Sequence, residues 1–160
     1  MADNPDRKRR IAAAAAIATA IAIPAEGIRQ MAYYDPPGIL TVCYGHTGNV
    51  EKGRKYSLAE CRALLNADML QAVETVDRCV PGLPENVLAA FGDAVYNIGP
   101  TVACDPTRST AAMLLKAGDI LGACAQLPRW DKATIAGVKV RLPGLTKRRE
   151  AEKAVCEGQG

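Results

Sequence analysis

Residues 25–48 read AEGIRQMAYYDPPGILTVCYGHTG, and the architecture and the chemistry of this chain both turn on that stretch. Glu26 is followed at once by Gly27. Eight residues intervene before Asp35, and five more before Thr41. Cleavage of a glycosidic bond commonly needs two carboxyl groups, one to protonate the leaving oxygen and one across the sugar from it. A hydroxyl is suited to holding the attacking water. Glu26 closes an Ala-rich helical run, and Gly27 is a natural helix stop. The negative end of the helix dipole at that point favours a protonated carboxyl, the form a general acid needs. Each residue also has an ordinary reading: Glu26 as an exposed helix end, Asp35 as the first residue of a turn, Thr41 as a β-branched strand residue.

Upstream, residues 1–10 carry Asp3, Asp6, Arg7, Lys8, Arg9 and Arg10 and read as a basic N-terminal tail. Residues 11–25, IAAAAAIATAIAIPA, contain no charge. A basic flank before an apolar run is the pattern of a membrane signal with its N-terminus in the cytoplasm. The run is short against the ~20 apolar residues of a stable span, and mostly Ala. It reads as a releasable signal-anchor, as a cleaved signal peptide using a small residue such as Ala20 or Ala22, or as a buried Ala-rich helix. Cleavage near Ala25 would remove the helix that presents Glu26, which ranks it below the anchor.

Downstream, Tyr33, Tyr34, Thr41, Val42 and Tyr44 favour strands. Pro36-Pro37-Gly38, Gly45 and Gly48-Asn49 mark turns, so a small hairpin or three-stranded sheet is expected. Ser57-Leu58-Ala59-Glu60 is a capping box opening a helix that runs to about Val76. A buried helix follows over 85–98, stopped by Gly99-Pro100. Ser109 caps 110–116 and Asp119 caps a helix through Gln126. Residues 131–142 read as a loop or short hairpin, and Pro143 or Gly144 opens the last helix. This order of elements is α+β, with a small sheet segregated at one end of a helical body.

The chain has 160 residues and a formal net charge of +3, most of it in the first ten. The nearly neutral body argues against nucleic-acid binding. Six cysteines, with no CxxC pair, favour disulfides and an oxidising compartment such as the bacterial periplasm. They allow about 15 full pairings, and spacing does not choose among them. The single histidine, His46, lies near Cys43, but an odd separation along one strand would put them on opposite faces. That speaks against a Cys–His nucleophile. Other readings are a Cys–His wall peptidase or amidase, a zinc hydrolase, and a non-catalytic membrane-anchored wall-binding module.

The pattern Glu26, Asp35, Thr41 and Gly45-His46 resembles the active-site region of the phage-type lysozymes, glycoside hydrolase family 24. The likeness continues through Leu65-Asn66, Asp68, Tyr96-Asn97-Ile98-Gly99, Arg129-Trp130, Gly144-Leu145 and Arg148-Arg149. It implies a two-lobed lysozyme-like fold around a cleft, with the catalytic domain over residues 26–157. It also implies a muramidase cleaving peptidoglycan between N-acetylmuramic acid and N-acetylglucosamine, without metal or cofactor. A monomer is the default expectation, since the sequence shows no heptad repeat or evident sticky face. Glu26 would be the acid, with Asp35 and Thr41 handling the water. Asn97 would bind substrate, and His46–Asp68 would be a structural ion pair. Arg148 or Arg149 would reach the active-site carboxylates. Expected disulfides are Cys43–Cys61, Cys79–Cys104 and Cys124–Cys156. The N-terminus resembles the signal-anchor-release subgroup of these endolysins. That implies transient inner-membrane association through residues 11–25, then action on the wall from the periplasm. With no Cys in residues 1–42, control would rest on topology and not on thiol exchange.

Overall fold

The computed structural model describes residues 4–159. It begins with α1 (Pro5–Ala25), followed by strands β1 (Arg29–Tyr34), β2 (Leu40–Cys43) and β3 (His46–Thr47). Then come α2 (Leu58–Cys79), α3 (Glu85–Ile98), α4 (Thr101–Cys104), α5 (Thr110–Ala117) and α6 (Ile120–Gln126). A 3-10 turn at Leu127–Trp130 leads into the hairpin β4 (Lys132–Ile135) and β5 (Val138–Arg141), and α7 (Pro143–Cys156) closes the fold. The first sheet is antiparallel in the order β1-β2-β3, with Tyr33 opposite Thr41 and Val42 opposite His46. The architecture is the expected α+β.

Local chemistry explains most of the boundaries. Ser57 and Glu60 make both bonds of the capping box, at 3.0 and 2.9 Å. Ser109 accepts from the Ala112 N–H and Asp119 from the Gly122 N–H. The helix α2 runs to Cys79, one turn past Val76, because nothing before Pro81 interrupts it. The end of α1 differs from the sequence reading. Gly27 is not in the left-handed region. Glu26 itself turns extended, at φ −96 and ψ 138, two residues after Pro24.

The core is built around α3, which is buried on all sides from Val87 to Val95, in keeping with its continuous apolar sequence. Helix α2 comes very close to it: a Cβ at Gly92 would lie 2.5 Å from Val73 Cγ2, so a side chain there forces the two helices apart. Helix α1 is a core helix. Ile11, Ala14, Ala15, Ala18 and Ala22 form a buried stripe at helical spacing against α2 and α3. Among the described residues, no helix is long and apolar enough to cross a membrane.

Within the basic segment, residues 5–10 are helical, because α1 starts at Pro5 with Asn4 as its cap. Arg7 Nε lies 2.7 Å from Asp77 Oδ2 and Arg10 Nη2 lies 2.6 Å from Asp77 Oδ1. Asp77, on α2, is 2% exposed and needs those partners. Burial alone would raise its pKa. The bonds from Arg7 and Arg10 outweigh that and hold it below the ordinary carboxylate value. A lowered folded pKa means that the stability it confers is fully present above the unfolded carboxylate range. That stability drains as pH falls through the depressed value. Asp77→Asn is therefore expected to cost about 1.5–3 kcal/mol at neutral pH. Its Tm–pH curve should converge on that of the wild type in acid; parallel curves would refute the assignment.

Cys43–Cys61 joins β2 to α2, Cys79–Cys104 joins the end of α2 to α4, and Cys124–Cys156 joins α6 to α7. Such bridges typically stabilise by about 2–4 kcal/mol each.

Candidate active site

Glu26 caps α1 where the helix meets the sheet lobe. Its backbone N–H donates to Ala22 O at 2.9 Å, and its side chain is 26% exposed. From α7, Arg148 Nη1 donates to Glu26 Oε1 at 2.5 Å. The same guanidinium grips Asp93 of α3 with two further bonds, Nε to Oδ2 at 2.9 Å and Nη2 to Oδ1 at 2.7 Å. Arg148 is 3% exposed and Asp93 fully buried. Burial works against the charge on Arg148, but the bonds and charges of Asp93 and Glu26 more than offset this and hold its pKa above the ordinary value. Arginine suits the place because its planar fork can serve two carboxylates at once. Arg149 does not reach Glu26. It turns the other way, with Nη2 donating to Glu152 Oε1 at 2.6 Å and to Asn97 Oδ1 at 2.8 Å.

A cavity of about 530 Å³ opens beside Glu26, lined among others by Tyr44, Gly45, Asp68, Tyr96 and Asn97. It lies between the sheet lobe and the helical body. Tyr96 Oη donates to Tyr44 O at 2.9 Å and clamps the two together. Burial, with the charges of Glu26 and Asp68, pushes the Tyr96 phenol well up against the opposing effect of Arg148, so it stays a donor. Gly45 sits at φ 94 in the turn above, with the Tyr96 hydroxyl 3.9 Å from where a Cβ would stand. His46 Nδ1 lies 2.7 Å from Asp68 Oδ2, and its Nε2 donates to Gly48 O at 3.1 Å, so β3 is tied to α2.

Asp35 and Thr41 are on the β1–β2 hairpin and are not among the residues lining this cavity. Asp35 holds the turn: its Oδ1 accepts from the Ile39 N–H at 2.7 Å, and its carbonyl accepts from the Gly38 N–H at 2.8 Å. Its Oδ2 makes none of these bonds. Thr41 is 3% exposed, and its hydroxyl donates to Ile39 O at 2.9 Å. That bond commits the hydroxyl proton and leaves the oxygen as an acceptor.

The parity argument separating Cys43 from His46 does not apply, because Cys43 ends β2 and His46 opens β3. The thiol is instead consumed in the bond to Cys61, and all six cysteines are paired. Among the described residues, no group of three or more His, Cys, Asp or Glu is placed to hold a metal ion.

The sequence reading missed Asp93 and Glu152. Asp93 had a signal: a lone acid within VLAAFGDAVY, an otherwise apolar helix, demands a buried cation. Glu152 lacked one, because EAEK on a charged helix reads as solvated surface.

The phage lysozyme family model matches residues 24–152. The SAR-endolysin of Bacteriophage PS119 is 43% identical over 133 residues, 82% of this chain and 75% of that protein. Among solved structures, the muramidase domain of SpmX from Asticaccaulis excentricus superposes with a TM-score of 0.76 at 28% identity, covering 86% of this chain and 92% of that one. The endolysin of Escherichia coli O157:H7 phage FAHEc1 gives a TM-score of 0.73 at 30% identity, covering 87% and 89%. The two lobes and the cleft between them are thus those of a lysozyme, and the chain belongs to the phage lysozyme family.

Proposed function

We propose that this chain is an endolysin. It hydrolyses the β-1,4 bond between N-acetylmuramic acid and N-acetylglucosamine of bacterial peptidoglycan, and so lyses the host cell. The observation that carries this reading is a carboxyl, Glu26, at the mouth of the interlobe cleft of a phage lysozyme fold, held from behind by a buried guanidinium.

In this mechanism Glu26 is the general acid. A guanidinium has only donors, so the Arg148 bond occupies Oε1, and the proton for the leaving oxygen is carried on Oε2. The attacking water donates one proton toward Asp35 and the other toward the Thr41 oxygen, whose own proton is held by Ile39 O. Its lone pair is then free for the anomeric carbon. Asn97 presents its NH2 to the sugar, because its carbonyl oxygen is taken by Arg149. The protein acts as a monomer and needs no cofactor. The pairing of all six cysteines supports this reading over a thiol nucleophile.

Before lysis, residues 11–25 associate with the inner membrane, and after release the protein works from the periplasm. The buried stripe of α1 supports this, since a helix cannot face lipid and pack on α2 and α3 at the same time. While it is in the bilayer, the core is open and Glu26 has no cleft. Constitutive lysis by the tethered protein would exclude this form of control.

The direct test is mass spectrometry of muropeptides after digestion of purified sacculi. Products with new N-acetylmuramic acid reducing ends are expected. Intact glycan with cleaved amide bonds would overturn the assignment, and undigested wall would favour a binding module.

A further inference from the structure

The hairpin β4–β5 takes no part in the chemistry above. Its register sets Lys132 opposite Arg141, Ala133 opposite Val140, Thr134 opposite Lys139 and Ile135 opposite Val138. Paired residues point to the same side of a ribbon, and successive residues alternate. One face therefore carries Ala133, Ile135, Val138 and Val140, and the other carries Lys132, Thr134, Lys139 and Arg141. The apolar face is left open: Ile135 is 51% exposed, Val138 62% and Val140 38%. The tip, Ile135-Ala136-Gly137-Val138, is uncharged and exposed at every residue. Turn geometry does not require this, since the left-handed φ values belong to Ala136 and Gly137 alone. A hairpin tip is ordinarily polar, and an exposed apolar run there marks a surface that meets something.

The charge around the hairpin is one-sided. Residues 129–149 hold seven basic side chains and one acid. Arg148 and Arg149 are buried and spent on carboxylates inside the fold. Arg129, Lys132, Lys139, Arg141 and Lys147 are exposed. The acid, Asp131, is 4% exposed, and it accepts from Arg141 Nε and Thr146 Oγ1. That bond leaves the two terminal nitrogens of Arg141 for another anion. At the base of the hairpin an open cavity of about 440 Å³ is lined by Arg141, Pro143, Thr146 and Lys147. The sheet lobe differs. Tyr34 and Ile39 are exposed there too, but residues 26–60 hold four basic and four acidic side chains.

We propose that the hairpin is a membrane-interfacial element of the folded protein, seating its apolar tip in an anionic phospholipid surface with its cations on the headgroup phosphates. The occupant must offer apolar depth and negative charge together, and an anionic bilayer offers both. The stems of peptidoglycan offer carboxylates without a matching apolar layer. A second copy of the chain would bring the same cations, which repel. The long stems of Lys132, Lys139 and Arg141 let their charged heads reach the headgroup level beside the buried face. Arg141 and Lys147 flank the cavity in which one phosphate would sit. This contact is separate from the N-terminal segment, because the stripe of α1 is buried in the folded core. It would retain the released protein at the bilayer surface, and that consequence alone rests on the proposed function.

The test is sedimentation of the full chain with vesicles of phosphatidylglycerol and phosphatidylethanolamine, set against vesicles of phosphatidylcholine. Binding is expected to the first and not to the second, and to weaken as salt screens the surface. Ile135→Ser combined with Val138→Ser should lower the partition coefficient roughly tenfold or more. Tm and the digestion of purified sacculi should stay at the wild-type level in that variant, since both side chains are exposed and outside the cleft. Lys139→Glu combined with Lys147→Glu should also weaken vesicle binding roughly tenfold or more. No binding by the wild type would overturn the proposal. So would binding unchanged by the serine pair, which would assign it to α1 or to charge alone. Slower sacculus digestion by the serine pair, with vesicle binding intact, would give this face to the glycan instead. Vesicle binding needs no wall substrate, so it is decided even if the protein opens no glycan bond.

Discussion

Replacing Glu26 by Gln is expected to lower the rate of wall lysis by roughly 10²–10⁴-fold, the contribution of a positioned general acid, while the folded state keeps a Tm near that of the wild type. The amide carbonyl takes over the bond from Arg148 Nη1, so the cavity wall and the Arg148–Asp93 grip stay in place. What is lost is the proton on Oε2, which the amide nitrogen cannot supply to a leaving sugar oxygen. Asp35→Asn should fall less far. Its amide oxygen still accepts from the Ile39 N–H or from water, and the hairpin turn that Asp35 stabilises survives. The comparison needs only purified variants, a turbidity assay on cell walls and a thermal melt of each. Equal residual rates would reject the ranking, and a wild-type rate in Glu26→Gln would remove Glu26 from the chemistry.

The second large effect is on stability. Arg148→Ala should cost about 3–5 kcal/mol, because it leaves the fully buried Asp93 carboxylate without its cation. For a chain of this size that corresponds to a fall in Tm of about 10 °C or more. Activity should go with it, since Glu26 loses the hydrogen bond with which Arg148 holds its side chain. Arg148→Lys should rescue neither property fully: one ammonium cannot reproduce three nitrogens arranged in a plane between two helices. Melts followed by circular dichroism give the first quantity and the turbidity assay the second. A Lys variant matching the wild type in both would show that positive charge suffices and that the fork geometry is irrelevant.

These two residues differ in how much of their role was open to inspection in the chain. Glu26 was legible as a candidate because its environment is local: an Ala-rich helix before it, a turn-rich strand region after it, and the other two candidate side chains within 15 residues. The caps at Ser57, Ser109 and Asp119 were legible for the same reason, since a cap side chain bonds to an N–H two or three residues on. The hairpin over Lys132–Arg141 was visible only as a loop or short hairpin. Ala136-Gly137 supply its turn at φ 50 and φ 79, and its exposed strands carry little burial pattern. The last residues of helices were less secure, as Cys79 and Glu26 show, because a helix continues until something stops it and several things can.

The amino-acid order alone was enough for the α+β arrangement, the Glu26–Asp35–Thr41 spacing and the family to which it points. The reason is that helix periodicity, capping and turn chemistry act between residues three or four positions apart. It could not say which of two adjacent arginines would serve Glu26, 122 residues away. Nor could it place Arg7 and Arg10 on Asp77, or Arg148 on Asp93. Those pairings depend on how α1, α3 and α7 are rotated about their axes when they pack. A rotation of one residue, about 100°, exchanges Arg148 for Arg149, and only the close fit of the assembled core selects between them.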